Sequence, residues 1–219
     1  MAFPFQDRVE AGRTLAEYLT KYAHRPETGV FGLPRGGVPV AREVARALDL
    51  PLDVFIVRKL GVPGHEELAF GAVATGGVRV LNRELIQSLR LPEYVVDDVS
   101  AKELAELARR ERLYRGNLPP HPLDGLTAIL VDDGLATGAS MVAAIRAARA
   151  GGANKVVVAV PVGPPEAVRQ LQLEADEVVC PYQPTAFRAV GLWYTDFSQT
   201  SDEEVQAALE TASARPPSR

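Results

Sequence analysis

The stretch that decides the fold is Ala128-Ile-Leu-Val-Asp-Asp-Gly-Leu-Ala-Thr-Gly-Ala-Ser-Met141. Its first four residues are apolar and predict the end of a buried strand, and Asp132 and Asp133 follow directly. A loop of small residues, 134–140, then leads into a predicted helix. Ligands of open α/β sheets bind at the carboxyl ends of the strands. We therefore expect the two aspartates to lie at a binding site.

Each part of this stretch suits a sugar phosphate. Adjacent carboxylates accept hydrogen bonds from vicinal sugar hydroxyls, or lie near Mg²⁺, which prefers oxygen ligands. The backbone amides of a small-residue loop at a helix N-terminus form an anion site. Thr137 and Ser140 add hydroxyl donors to that loop. The stretch therefore predicts a site for a phosphorylated ribose.

Three other structures also contain an apolar run followed by two acids. A Walker B strand would be accompanied by Gly-x-x-x-x-Gly-Lys-Ser/Thr, which is absent from this chain. A receiver domain would need more chain after Asp133 than is present. A purely structural strand–turn–helix stays open, although two unpaired carboxylates at a strand end would be costly there.

Residues 131–141 resemble the phosphoribosyl diphosphate (PRPP) signature of the type I phosphoribosyltransferases, in the form seen in adenine phosphoribosyltransferases. The resemblance implies that Asp132 and Asp133 bind the ribose hydroxyls and contact Mg²⁺ at most through water. It also assigns the 5-phosphate to Leu135, Ala136, Thr137, Gly138, Ala139 and Ser140. Ala136 departs from the hypoxanthine-type enzymes, which place an acidic residue there, so this loop provides no general base.

A second anion loop is expected in Gly32-Leu-Pro-Arg-Gly-Gly37, between a predicted strand at 28–33 and a predicted helix at 38–48. Its glycine spacing does not match the Gly-x-Gly-x-x-Gly dinucleotide fingerprint. In the family, the first strand–helix loop holds the pyrophosphate. The resemblance places that role on Arg35, Gly36 and Gly37.

Arg58 and Lys59 follow the next predicted strand, 52–57. They resemble the basic pair that begins the mobile loop of adenine phosphoribosyltransferases, which implies pyrophosphate binding. The catalytic residues implied are thus Asp132, Asp133, Arg58 and Lys59. The glycines and proline in residues 58–64 predict a loop, which His65, Glu66 and Glu67 extend as solvated residues or as proton-transfer groups.

The remaining pattern predicts a small flap and a cap. Residues 69–74 and 78–81 indicate a β-hairpin, and residues 82–89 and 92–115 indicate helices. Residues 181–199 contain five aromatic side chains without a clear period. The family has a variable hood that binds the base, and here we assign it to this stretch, with Phe187, Trp193 and Tyr194 as base-binding candidates. Sealing the core or forming a dimer is the alternative role for these aromatics.

The fold class expected is α/β, with a roughly five-stranded parallel sheet, helices on both faces, a small β-flap with a mobile loop, and a C-terminal aromatic hood. One domain is expected over residues 1–219, with its core at about 28–180, flap at 58–81 and hood at 181–200. Residues 215–219 are expected to be a frayed tail.

Composition limits the kinds of partner and the cellular location that are expected. A net charge of −4 over 219 residues gives no reason to expect nucleic-acid binding. No apolar run approaches the roughly 20 residues of a membrane span. Cys180 is the one cysteine; it excludes an internal disulfide, fits a reducing compartment and is expected to be a buried, inert thiol. A cytoplasmic location is therefore expected, and the resemblance to the phosphoribosyltransferases implies a homodimer.

The function that the resemblance implies is transfer of the phosphoribosyl group of PRPP to a nitrogenous base, with release of pyrophosphate and with Mg²⁺ as cofactor. Two alternatives stay open. One is a protein that senses PRPP or a nucleotide without turnover. The other is a phosphoribosyl hydrolase, or a transferase with an unusual acceptor. The sequence does not identify the acceptor.

Overall fold

The computed structural model describes residues 5–213, apart from the side chains of residues 66, 67, 212 and 213. Within them, eight strands are formed: β1 (Thr28–Gly32), β2 (Leu52–Val54), β3 (Val57–Val62), β4 (His65–Ala74), β5 (Val78–Leu81), β6 (Thr127–Val131), β7 (Lys155–Ala159) and β8 (Glu177–Val179). Five of them form one parallel sheet in the order β2-β1-β6-β7-β8. β6 is the central strand, so Asp132 and Asp133 emerge from the middle of the sheet. The predicted five-stranded parallel sheet is confirmed.

Seven α-helices complete the described chain: α1 (Arg8–Glu17), α2 (Gly37–Leu48), α3 (Arg83–Ser88), α4 (Glu93–Arg115), α5 (Ala139–Ala150), α6 (Pro165–Gln172) and α7 (Asp202–Ser213). Apolar residues of α1 and α2 pack with one face of the sheet, and those of α5 and α6 pack with the other. α4 and α7 pack together near β2. The helices therefore lie on both faces, as predicted.

The flap is a three-stranded antiparallel sheet of β3, β4 and β5. The prediction of a loop at residues 58–64 was wrong, because residues 57–62 pair with β4 and only Pro63 and Gly64 form the turn. Gly61 lies at an irregularity in the pairing and does not end the strand. The apolar face of the flap packs against α3 and α4. The basic pair is thus held in a strand.

The hood follows β8. It contains a short 3-10 turn, Val190–Trp193, and packs against Phe5 and Val162 near the carboxyl end of β7. Cys180, just before the hood, is buried, and burial raises the pKa of its thiol to about 12. The expected tail at 215–219 lies outside the described residues, as do the side chains of Glu66 and Glu67. None of the described helices has the length and apolar character needed to cross a bilayer.

Candidate functional site

The two predicted anion loops and the acidic pair meet at one edge of the sheet. Gly36 and Gly37 lie against the turn that carries Asp132 and Asp133. A Cβ atom at Gly36 would lie 2.0 Å from Asp133 Oδ2, and one at Gly37 would lie 2.6 Å from the Val131 carbonyl oxygen and 3.0 Å from Asp132 Oδ1. Only glycine permits this approach, so the sequence Gly36-Gly37 is required by the acidic turn itself.

Asp133 is held from two directions. Arg8, the first residue of α1, donates a hydrogen bond from Nε to Asp133 Oδ2 at 2.9 Å, and its Nη2 lies 2.8 Å from the same oxygen in an ion pair. The hydroxyl of Tyr194, in the hood, donates to the Asp133 carbonyl oxygen at 2.6 Å. Sequence reasoning missed Arg8, because nothing in its neighbourhood marks a partner 125 residues away.

Asp132 has no ion-pair partner among the described residues. Its Oδ1 accepts a hydrogen bond from the Asp133 amide at 2.9 Å. Burial and the charge of Asp133 raise the pKa of Asp132 well above its usual range. Burial also raises the pKa of Asp133, while Arg8 opposes that rise. The turn therefore holds one carboxyl group that forms an ion pair with Arg8, that of Asp133, and one that forms no ion pair within the described residues, that of Asp132.

The small-residue loop separates into a buried and an exposed part. Leu135 is 3% exposed in the core, and its amide donates to the Val162 carbonyl oxygen at 2.9 Å. Its N–H is therefore engaged, and the 5-phosphate role implied for Leu135 loses that donor. Residues 136, 137, 139 and 140 are exposed at the start of α5, and Gly138 adopts φ 75° between them. The amides of residues 136–140 remain the candidate phosphate cradle.

The predicted diphosphate residues are only partly brought together. Arg35 directly precedes Gly36, which packs against the acidic turn. Its guanidinium, however, points to α7, where Nη1 is 3.9 Å from Asp202 Oδ1. Arg58 donates from Nε to Glu103 of α4 at 2.7 Å. Lys59 is exposed and lines a cleft of about 720 Å³ between the flap and the first turns of α5. Adjacent in sequence, Arg58 and Lys59 thus face opposite sides of β3.

The three aromatic residues assigned to the base differ in their exposure. Tyr194 is 3% exposed and supports the acidic turn, so it has no open ring face for a base. Burial raises the pKa of its hydroxyl. Phe187 and Trp193 are half-buried, with parallel rings whose centroids are 6.3 Å apart. The indole N–H of Trp193 is buried without a hydrogen-bond partner in the described residues. These two rings stay the candidates for contact with a base.

The residues present are compatible with Mg²⁺ bound together with a ligand. Asp132 and Asp133 offer carboxylate oxygens, the donor type that Mg²⁺ takes. Among the described residues, no three His, Cys, Asp or Glu side chains converge on one point. Asp132 and Asp133 would therefore hold Mg²⁺, directly or through water, only together with a bound diphosphate.

Comparison with known proteins identifies relatives of this chain by sequence and by structure. A Mycobacterium tuberculosis H37Rv protein, provisionally named phosphoribosyl transferase Rv0571c, is 51% identical over 208 residues, which are 95% of this chain and 47% of that protein. The chain thus spans about half the length of that curated relative. The crystal structure of TT1426 from Thermus thermophilus is 45% identical, with a TM-score of 0.84 over 94% of this chain and 97% of TT1426.

A more distant solved structure shares the fold alone. AQ2163 from Aquifex aeolicus is 12% identical and covers 92% of this chain and 83% of its own, with a TM-score of 0.51. The family model of the phosphoribosyl transferase domain matches residues 6–190, most of the chain and all five strands of the parallel sheet. This chain belongs to the phosphoribosyl transferase family.

Proposed function

We propose that this chain transfers the phosphoribosyl group of PRPP to a nitrogenous base, with release of pyrophosphate. One observation carries the proposal. The acidic turn after β6, the glycines at the start of α2 and the exposed loop at the start of α5 lie together at the carboxyl edge of one parallel sheet. Carboxylates for ribose hydroxyls and helix N-termini for phosphates are thus presented side by side.

Binding follows from the arrangement of these groups. Asp132, whose carboxylate has no cation partner among the described residues, accepts hydrogen bonds from the ribose hydroxyls, together with Asp133. The amides of residues 136–140, with the hydroxyls of Thr137 and Ser140, hold the 5-phosphate. The amides of Arg35 and Gly36, with the Arg35 guanidinium once it turns away from Asp202, hold the diphosphate. Gly37 makes room for the ligand, since its own amide donates to the Leu33 carbonyl oxygen at 3.0 Å. A role for Arg58 and Lys59 at the diphosphate stays a prediction.

Catalysis at such a site is mainly electrostatic. As the bond between ribose C1 and the diphosphate breaks, positive charge develops on the sugar, and the carboxylates of the acidic turn stabilise it. The phosphate loops fix the donor at both ends, which removes the entropic cost of alignment. When bound, Mg²⁺ would neutralise charge on the departing diphosphate. Phe187 and Trp193 are the proposed contacts for the base.

The test is pyrophosphate release. The protein is incubated with PRPP, Mg²⁺ and a panel of purine, pyrimidine and other nitrogenous acceptors, and pyrophosphate and the nucleotide product are quantified. Release that requires an acceptor, and that is lost in Asp132→Asn, supports the proposal. Tight PRPP binding without release for any acceptor contradicts transfer.

A sensor without turnover is the second candidate, and Ala136 favours it. This exposed residue carries only a methyl group where the hypoxanthine-type enzymes place an acid, so the loop offers no general base. Calorimetry and the release assay together separate the two functions, since a sensor binds PRPP or nucleotides and releases nothing. A homodimer remains proposed, and light scattering checks it.

A further inference from the structure

Arg8 connects three parts of the molecule that the sequence keeps apart. Its Nε atom donates a hydrogen bond to Asp133 in the acidic turn, and its Nη2 atom forms an ion pair with the same carboxylate. Its Nη1 atom donates to the Ser198 carbonyl oxygen in the hood at 2.7 Å, and its guanidinium lies 4.1 Å from the centroid of the Phe197 ring. The side chain is only 12% exposed. One planar guanidinium thus contacts the ribose site and the hood together.

The diphosphate loop also reaches this group. A Cβ atom at Gly36 would come within 3.2 Å of Arg8 Nε, as well as 2.0 Å from Asp133 Oδ2. The glycine therefore makes room for the ion pair as a unit. Arg8, Asp133 and the backbone at Gly36 form one packed junction at the centre of the proposed site.

Helix α1 does not itself need an arginine at this position. Asp7 already caps it, accepting from the Glu10 amide at 2.9 Å. A cation in the first turn is opposed by the partial positive charge of the helix N-terminus. The placement of Arg8 is therefore explained by its distant partners.

We propose that Arg8 is a positioning residue that couples the acceptor hood to the ribose site. It orients Asp133 Oδ2 and leaves the Oδ1 side of that carboxylate for the sugar. Because the same guanidinium holds Phe197 and Ser198, a ribose that fixes Asp133 also fixes the hood, and an ordered hood tightens ribose binding. This inference rests on the proposed function for its ligand.

The first experiment is calorimetry with PRPP and Mg²⁺ on the full chain. Arg8→Gln should weaken binding about tenfold, because Asp133 loses a charged partner next to Asp132. Arg8→Lys keeps the charge, so it should recover much of the affinity. Arg13→Gln is the matched control: it removes an ion pair on the same helix, with Glu43, from a side chain that is 63% exposed. Equal or tighter binding by Arg8→Gln overturns the proposal.

The second experiment measures the coupling itself by amide hydrogen exchange at residues 195–200. In native protein and in Arg13→Gln, PRPP should slow exchange in this segment. In Arg8→Lys it should not, because an ammonium group cannot hold the acidic turn and the hood with one rigid fork. Protection of the hood in Arg8→Lys equal to that in the native protein overturns the coupling.

The two experiments separate failure of the coupling from failure of the proposed function. If native protein does not bind PRPP, the proposed function fails. The junction is then judged without ligand: Arg8→Gln must speed exchange at residues 195–200 relative to Arg13→Gln, and equal rates overturn it. If native protein binds PRPP and neither Arg8 variant differs from Arg13→Gln, the coupling alone fails.

Discussion

Two pairs of adjacent like charges differ in what the fold does with them. Asp132 and Asp133 follow the last residue of β6, and both stay at the same turn, one linked to the other by the Asp133 amide. Arg58 and Lys59 lie inside β3, and the period of two sends Arg58 to Glu103 on α4 and Lys59 to the cleft beside α5. Adjacency in sequence therefore gives a joint site beyond a strand end, and separates the charges within a strand.

The difference also has an energetic side. The acidic pair is concentrated in one half-buried turn, where desolvation raises the pKa of both carboxyl groups despite Arg8. The basic pair is dispersed, and Arg58 is neutralised by its own ion pair. Concentrating like charge away from water is unfavourable for folding, so the acidic turn is where we expect stability and binding to conflict.

The largest effect is expected from Gly36→Ala. The new methyl carbon would lie 2.0 Å from Asp133 Oδ2, so the carboxylate or the loop must move, and PRPP binding should become undetectable by calorimetry. The free energy of unfolding should fall by about 1–3 kcal/mol.

Gly125→Ala is the control for Gly36→Ala. It also adds a methyl group, in the connector before β6, where the new Cβ would meet no heavy atom within 4 Å apart from its chain neighbours, and where only the positive φ of 73° is unfavourable. It should leave PRPP affinity unchanged. Native-like affinity in Gly36→Ala would show that the glycine loop and the acidic turn do not form one site.

Asp132→Asn should weaken PRPP binding by about a hundredfold at pH 8, since the proposed charged acceptor of the ribose hydroxyls becomes a neutral amide. The same variant should melt at a higher temperature than native protein, because it removes a carboxylate that burial and Asp133 make unfavourable. Thermal melts and calorimetry on the same samples test both statements. A lower melting temperature together with unchanged affinity would assign Asp132 a structural role.

Ionisation of Asp132 should change stability and PRPP affinity in opposite directions as pH rises. Its pKa is raised in the folded state, so its contribution to stability is fully present below its unfolded pKa and is lost as pH rises through the folded pKa. PRPP affinity should change in the opposite direction and increase over the same interval, as the carboxylate ionises. Native protein should therefore lose stability with rising pH relative to Asp132→Asn. Parallel stability curves for the two proteins would contradict the raised pKa.

Tyr194→Phe should have a smaller effect, lowering the free energy of unfolding by about 1 kcal/mol, because the Asp133 carbonyl oxygen loses its donor. Tyr182→Phe is the matched control, since that side chain is 40% exposed and its hydroxyl has no hydrogen bond within the described residues. Urea unfolding compares the two. Equal stability changes would mean that the Tyr194 hydroxyl does not support the turn.

The sequence could predict those parts of the site that depend on neighbouring residues. Strand β6, the two aspartates that follow it and the start of α5 all lie within residues 127–140. Because they are consecutive in the chain, they are also neighbours in the folded protein. The packing of Gly36 on Asp133 was not predictable, although the glycines were recognised. It depends on β1 and β6 being neighbours in the sheet, which the local pattern does not encode.

The missed and mistaken parts have physical causes of the same kind. Arg8 meets Asp133 across 125 residues, and a lone arginine at a helix start gives no signal of that contact. Leu135 and Tyr194 were assigned to ligands by position, but apolar packing buries both. Residues 58–64 contain two glycines and a proline, and cross-strand pairing with β4 outweighs their preference for a loop.

The smallest effects separate the two members of the basic pair. Arg58→Gln should lower the free energy of unfolding by about 0.5–1 kcal/mol, the range for a partly exposed ion pair, and a double-mutant cycle with Glu103→Gln should recover that energy as coupling. Lys59→Gln should leave stability unchanged, because Lys59 is exposed and has no ion pair among the described residues.

The PRPP affinities of these two variants test whether the flap keeps its conformation when PRPP binds. If β3 keeps its pairing when PRPP binds, Lys59→Gln should weaken PRPP binding a few-fold, because Lys59 is the member of the basic pair that faces the cleft beside the start of α5. Arg58→Gln should leave the affinity unchanged, because Arg58 is held by Glu103. If the two variants weaken PRPP binding equally, Arg58 must leave Glu103 in the bound state, and both side chains must reach the diphosphate. The flap would then have to rearrange on binding, and the contrast with the acidic turn would hold for the free protein alone.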